Sequence, residues 1–172
     1  MLPSQTELQA LLDYDPLTGV LIWKTRPFNM FSSKRAWNTW NSRYAGKPAF
    51  TSPDRKGYFV GAIYNVNYRA SRVIWKHQYG IDAVEVDHED GNNQNNRLKN
   101  LRDVTGAVNH KNMKTPVTNK SGHIGVFWVA KRNKWKVSIG GKHICYREDF
   151  NDAVAERKQA EIDYDYHPNH GR

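Results

Sequence analysis

Between Val86 and Asn109 the chain sets an imidazole beside a carboxylate and follows them with carboxamides: Asp87-His88, Asp90-Gly91-Asn92, Asn95-Asn96, Asn100 and Asn109. A neutral imidazole accepts a proton near neutral pH. Carboxylate and carboxamide oxygens suit a hard cation such as Mg²⁺, which keeps waters and takes further oxygen ligands. The same residue types also close loops, because Asp and Asn side chains satisfy turn backbone and tolerate left-handed conformations. Taken singly, each of these residues fits the loop-closing role better; taken jointly, their order favours the chemical one. His77 falls inside a helical pattern and is expected to pack there, and His123, His143, His167 and His170 lack ligand spacing.

The elements that must hold this group can be read around it. Val84 to Asp87 reads as a short strand entering a loop from His88 to Asn96 that is too rich in Gly, Asn and Asp to be regular. Leu98 to Leu101 and Val104 to Asn112 suggest a short turn and then a helix. Upstream, Ser4 is an N-cap with Glu7 three residues later, and Leu8, Leu11 and Leu12 fall at helical spacing. A turn at Tyr14 to Gly19 leads into the apolar strand Val20 to Trp23. Residues 26 to 53 mix aromatic, basic and proline residues without a sustained period and are left unassigned. Gly57 to Tyr64 and Val66 to Tyr68 read as strands joined by a turn around Asn65, and Ala70 to Tyr79 as a helix stopped by Gly80.

Composition narrows the partners. The chain has 172 residues and a formal net charge of +9, which suits a polyanion because each cation docked on a phosphate releases condensed counterions. The charge is uneven. Lys120 to Arg147 holds seven basic residues and no acid, whereas Glu148 to Asp165 holds seven acids against Arg157 and Lys158. The single Cys145 excludes an internal disulfide and a multi-cysteine zinc site. No apolar run approaches a membrane span, and Met1 to Glu7 lacks the basic start and hydrophobic stretch of a signal peptide, so a cytoplasmic protein with no membrane partner is expected.

Pro116 to Lys120 reads as a linker. Beyond it, Ile124 to Val129, Trp135 to Ile139 and His143 to Tyr146 read as three short strands around turns at Arg132-Asn133 and Gly140-Gly141, and Phe150 to Tyr164 has a helical period. Strand alternation puts Lys136 and Ser138 on one face and Trp135, Val137 and Ile139 on the other. The first face is expected to meet DNA, with Lys131, Arg132 and Lys134 at the hairpin turn and Lys142 and Arg147 on the third strand. Trp128 and Trp135 are expected to be core residues. Nearer the Asn-rich loop, Arg72 and Arg102 are expected to contact phosphate.

The order Asp87-His88, Asp90-Gly91-Asn92, Asn95-Asn96, Asn100-Leu101-Arg102 and then Asn109 resembles the HNH endonucleases of the His-Me finger (ββα-metal) superfamily, especially phage homing endonucleases. Phosphodiester hydrolysis needs a nucleophilic water, an acceptor for its proton, and a cation to stabilise charge on the phosphorus centre and leaving oxygen. The resemblance implies His88 as general base, Asp87 and Asn109 as metal ligands, and Asn100 as the asparagine that braces the loop. His110, beside Asn109, is the alternative ligand. It implies a divalent ion, Mg²⁺ or else Mn²⁺, and double-stranded DNA as substrate. Ser121 to Trp128, Lys134 to Ile139 and the helix to Tyr164 resemble the APETALA-type DNA-binding domain, which implies a sheet laid in the major groove.

The expected architecture is α+β, a small ββα-metal nuclease module plus a three-stranded antiparallel sheet packed on one helix. Its expected division is a helix-turn-strand and irregular region at 1–50, a nuclease domain at 51–115, a linker at 116–120, the sheet domain at 121–166 and a tail at 167–172. No protein partner is evident; a monomer would nick and a homodimer would cut both strands. Two other readings stand, a DNA-binding protein that keeps the nuclease segment only as a scaffold, and a protein that acts on RNA.

Overall fold

The computed structural model describes residues 1–172, which divide into two compact units, Met1–Gly106 and Ala107–Arg172. The division falls ahead of the Pro116 to Lys120 stretch, and the N-terminal region joins the first unit.

In the first unit α1 (Gln5–Leu11) starts at the Ser4–Glu7 capping box foreseen from sequence. It runs into β1 (Leu12–Asp15), which turns back on β2 (Val20–Trp23), and β3 (Pro48–Ala49) completes a three-stranded sheet. The unassigned stretch holds a 3₁₀ turn at Phe28–Met30 and the helix α2 (Lys34–Tyr44), N-capped by Ser33. No residue of α2 is buried. Its apolar stripe is only Trp37, Trp40 and Tyr44, too narrow to stand out as a period among polar neighbours. A second sheet joins β4 (Ser52–Pro53), β5 (Phe59–Ile63) and β6 (Val66–Arg69), followed by α3 (Ala70–Tyr79) with Gly80 as its left-handed cap.

One hydrophobic cluster unites these pieces. Leu8, Leu12, Leu21, Ile63, Val73 and Ile74 are its fully buried members, and Leu101 joins it from farther along the chain. α1 is pinned to α3 by the Gln5 and Gln9 amides, which donate to the His77 carbonyl at 3.1 and 3.0 Å. His77 is buried and contacts the Leu12 carbonyl through Nε2 at 3.1 Å, so it packs as expected.

The unit closes with β7 (Glu85–His88) and β8 (Leu101–Val104), antiparallel, with a 3₁₀ turn at Leu98–Asn100 between them. Sequence had placed no strand at Leu101 to Val104. Four residues carry little periodicity, and pairing with a strand across a long loop is a nonlocal choice. The helix after it, α4 (Gly106–His110), is shorter than its pattern suggested.

The second unit is a three-stranded antiparallel sheet packed on one helix. β9 (Val126–Val129), β10 (Lys134–Ile139) and β11 (Lys142–Arg147) are ordered β11-β10-β9, and α5 (Phe150–Asp163) covers one face over Val126, Val137 and Ala153. Asn133 takes the left-handed conformation of the first turn, and Gly140-Gly141, both at positive φ, form the second. Residues 167–172 pair back on 111–115: His167 N–H donates to the Lys111 carbonyl at 3.1 Å and Gly171 N–H to the Met113 carbonyl at 2.9 Å.

Candidate functional site

Asp87 and His88 are the last residues of β7, opposite Arg102 and Leu101 of β8. Strand alternation turns them to opposite faces. Asp87 is 7% exposed and its Oδ2 takes both Arg102 Nε at 2.8 Å and Nη2 at 2.7 Å, so an arginine expected on phosphate instead fixes the carboxylate. His88 is 2% exposed, and its Nε2 lies 3.0 Å from Asn96 Oδ1, which fixes the plane of the ring. Burial pushes the His88 pKa below the usual imidazole value, against the opposing pull of Asn96, Asp87 and Asp90. The ring is therefore neutral at neutral pH, the form a proton acceptor needs.

The loop from Glu89 to Arg97 is irregular but fully organised. Asp90 is its hub: it accepts from Asn92 N–H, from Asn95 Nδ2 and from Asn100 Nδ2 at 2.8, 2.6 and 3.0 Å. Partial burial raises the Asp90 pKa, but these bonds outweigh it and hold the carboxyl below its usual range. Asn100 braces the loop from inside, accepting from Asp90 N–H at 3.0 Å and donating to the Asn95 carbonyl at 2.7 Å. Asn96 is pinned in turn by the Tyr14 hydroxyl, which donates to its carbonyl at 2.8 Å. Gly19, at φ +79°, lets the β1–β2 turn lie on this backbone; a Cβ there would meet the Asn96 carbonyl carbon at 2.5 Å.

Tyr58, Arg69 and Asp54 form the other wall. The Tyr58 ring lies 5.8 Å from the His88 ring, and Arg69 stacks over Tyr58 at 3.9 Å while reaching Asp54 at 3.3 Å. Sequence reasoning gave no role to Asn96, Asp90 or Tyr58, and weighed Arg69 only as a phosphate contact or a surface cation. The signal for Asn96 and Asp90 was their place in the Asn-rich loop; nothing local marked Tyr58, which arrives from another sheet.

Arg72, also expected on phosphate, donates to the Ala83 and Val84 carbonyls at 2.9 and 3.5 Å and anchors the approach to β7. Asn109 and His110 end α4; Asn109 is half-buried and His110 exposed. The Asp87 carboxylate is the kind of oxygen donor that a hard divalent cation takes.

In the second unit Phe127, Val129, Lys134 and Lys136 share one face with Tyr146 by register, opposite to α5, and Ser138 follows Lys136 on it. Lys131 and Arg132 lie exposed in the β9–β10 turn, with Arg132 over the Tyr146 ring at 4.9 Å. Lys142 is exposed but departs from the expected face: it pairs with the buried Ile139 on the helix side, and its Nζ lies 5.6 Å over the ring of Tyr164 at the end of α5, while Lys134 reaches Glu148 at 3.2 Å. Arg147 departs from the expectation, because register turns it to the helix side, where it pairs with Glu156 of α5. Trp135 packs on Phe150 at 4.7 Å as a core residue, but Trp128 is 47% exposed and only edges onto Trp135.

Residues 68–111 match a family model described as an HNH endonuclease. The chain is similar to Protein 3.8 of Escherichia phage T7, 38% identical over 100 residues that cover 54% of this chain and 83% of that protein. No solved structure gives a significant match. No helix is long and apolar enough to cross a membrane.

Proposed function

Because this chain belongs to the HNH endonuclease family, whose members are nucleases or DNA-binding proteins, we propose that it is a divalent-metal-dependent endonuclease acting on double-stranded DNA, of the phage homing type. What carries the reading is the Asp87-His88 pair on β7, with a neutral ring oriented by Asn96 and a carboxylate oriented by Arg102.

In this reading His88 accepts the proton of the attacking water. Asn100 keeps the loop in the shape that holds Asn96 against His88. By the family resemblance Asp87 and Asn109 would hold the cation, with His110 as the alternative to Asn109, and the ion would be Mg²⁺ or else Mn²⁺, both of which take oxygen ligands. The cation supplies charge stabilisation at the phosphorus centre and leaving oxygen. A ring only 2% exposed meets a phosphate after its cover moves aside, so the proposal includes displacement of Tyr58 or of residues 89–97 when DNA binds. The outer sheet face and β9–β10 turn of the second unit, with Lys131, Arg132, Lys134, Lys136 and Ser138, hold the duplex in the manner of an APETALA-type domain. The alternating register and the helix-covered opposite face support that assignment.

A supercoiled-plasmid assay tests the reading. Open circles are expected with Mg²⁺ or Mn²⁺, none with EDTA, and a rate at least about 100-fold lower for His88→Ala. Cutting without metal, or full activity in the variant, sinks the mechanism. Tight duplex binding with no nicking under any ion favours the non-catalytic DNA-binding alternative.

A further inference from the structure

A cavity of about 600 Å³ opens in the first unit among β2, α2, β3 and the β5–β6 hairpin. Its walls include Trp23, Trp40, Tyr44, Phe50 and Tyr64, and Arg26 reaches into it. The Arg26 guanidinium stacks over Trp40 at 3.9 Å and over Trp23 at 5.0 Å. Its Nε is buried without a hydrogen-bond partner. Burial pushes its pKa down, and no carboxylate is among the charges that act on it. A buried donor left unmatched is costly, and a cation more so, unless a ligand completes it.

The surrounding sequence has the same character. From Pro16 to Pro53 there is no acidic residue, against Lys24, Arg26, Lys34, Arg35, Arg43 and Lys47. Phe50 is held at φ +56° although it is an aromatic outside any two-residue hairpin, and Gly61 leaves room for its ring: a Cβ there would lie 2.8 Å from Phe50 Cγ. Tyr64 and Asn65 also have positive φ, but they are the turn of the β5–β6 hairpin. At the mouth, Tyr44 and Tyr64 are 36% and 52% exposed, so ring faces are open to a planar partner. The volume falls in the range of roughly 300–1,000 Å³ usual for small-ligand sites.

We propose that this cavity takes one unstacked nucleotide of a DNA strand, its base on the rings of Trp40, Tyr44 and Tyr64 and its phosphate on the Arg26 guanidinium. Aromatic faces accept any base, and a guanidinium whose Nε donor is unmatched supplies charge-assisted donors to a phosphate. The DNA identity of the ligand rests on the nuclease reading above; the geometry of the pocket does not. The stretch left unassigned in the sequence thereby becomes a third nucleic-acid contact, beside the β7 site and the second unit's sheet.

The test uses the full chain carrying His88→Ala, in EDTA, so that hydrolysis plays no part. A short oligothymidylate with one central 5-iodouracil is photo-crosslinked, the modified peptide is mapped, and affinity is measured by fluorescence anisotropy. Cross-links are expected at Trp40, Tyr44 or Tyr64. Arg26→Gln is expected to weaken binding about tenfold, the scale of one lost stacking or phosphate contact. Ala62→Trp changes an exposed β5 residue that lines the cavity and fills its mouth without removing any partner, so it gives the answer even if Arg26→Gln fails to fold. Cross-links confined to other regions, or unchanged affinity in Ala62→Trp, overturn the proposal. Nicking by the unmodified protein is scored separately, so failure of the nuclease reading is told apart from failure of the pocket.

Discussion

Asn96 meets His88 Nε2 and fixes the plane of its ring, and the Tyr14 hydroxyl holds the Asn96 backbone in turn. Replacing Asn96 by Ala removes that orientation without touching Asp87, so plasmid nicking is expected to slow about tenfold or more with little change in DNA affinity, the usual cost of losing a group that orients a working side chain. Steady-state kinetics with separate binding measurements check this; an equal loss in affinity and rate would mean that Asn96 serves folding instead. Sequence pointed to Asp87, His88 and Asn100 through the resemblance that their joint order carries. It did not mark Asn96, because one asparagine among several in a loop carries no signal of which one meets the imidazole.

Two elements outside the β7–β8 hairpin bear on it. The β1–β2 turn touches the loop through Gly19, where a side chain would collide with the Asn96 backbone and the positive φ disfavours any other residue. Gly19→Ala is expected to cost about 1–3 kcal/mol, which lowers the melting temperature by several degrees, and to slow nicking as Asn96 shifts; a variant as stable and active as the parent rules out that contact. α3 is tied to β1 by His77, whose pKa burial holds below its usual value. The folded chain favours the neutral ring, so its contribution to stability is complete above the unfolded-state pKa of about 6.5 and is lost as pH falls toward the lower folded value. Thermal melts across that range are expected to fall more steeply for the parent than for His77→Gln. Parallel curves would mean that the ring is not held neutral. The helices α1, α3 and α5 were legible from capping residues and apolar spacing. β8 and α2 were not, because β8 exists through its partner strand and α2 shows only a thin aromatic stripe.

At the scale of the molecule, the net charge of +9 divides into local surfaces. The outer sheet face and β9–β10 turn of the second unit carry Lys131, Arg132, Lys134 and Lys136, and the covering helix carries the acids. If these cations lie on phosphates, duplex affinity falls steeply with salt. Lys134→Ala combined with Lys136→Ala then reduces the slope of log affinity against log salt by roughly two, at about 0.9 per phosphate contact. Anisotropy across a KCl series measures it. An unchanged slope would move the duplex contact off this face. The nicking rate at saturating DNA is expected to stay the same, since neither lysine belongs to the β7 site.

Sequence by itself determined the chemistry available and its order along the chain: a proton acceptor beside a carboxylate, carboxamides at fixed intervals, and a basic sheet followed by an acidic helix. Those properties belong to residue identity and spacing, which folding does not alter. Only the tertiary structure decided which asparagine holds the ring, that Arg102 serves Asp87, that Arg147 turns to the helix, and that Arg26 ends in an aromatic cavity with its Nε unbonded. Each of those is a meeting of side chains from separate elements, set by strand register and core packing, and register is a property of the pair that neither strand carries alone.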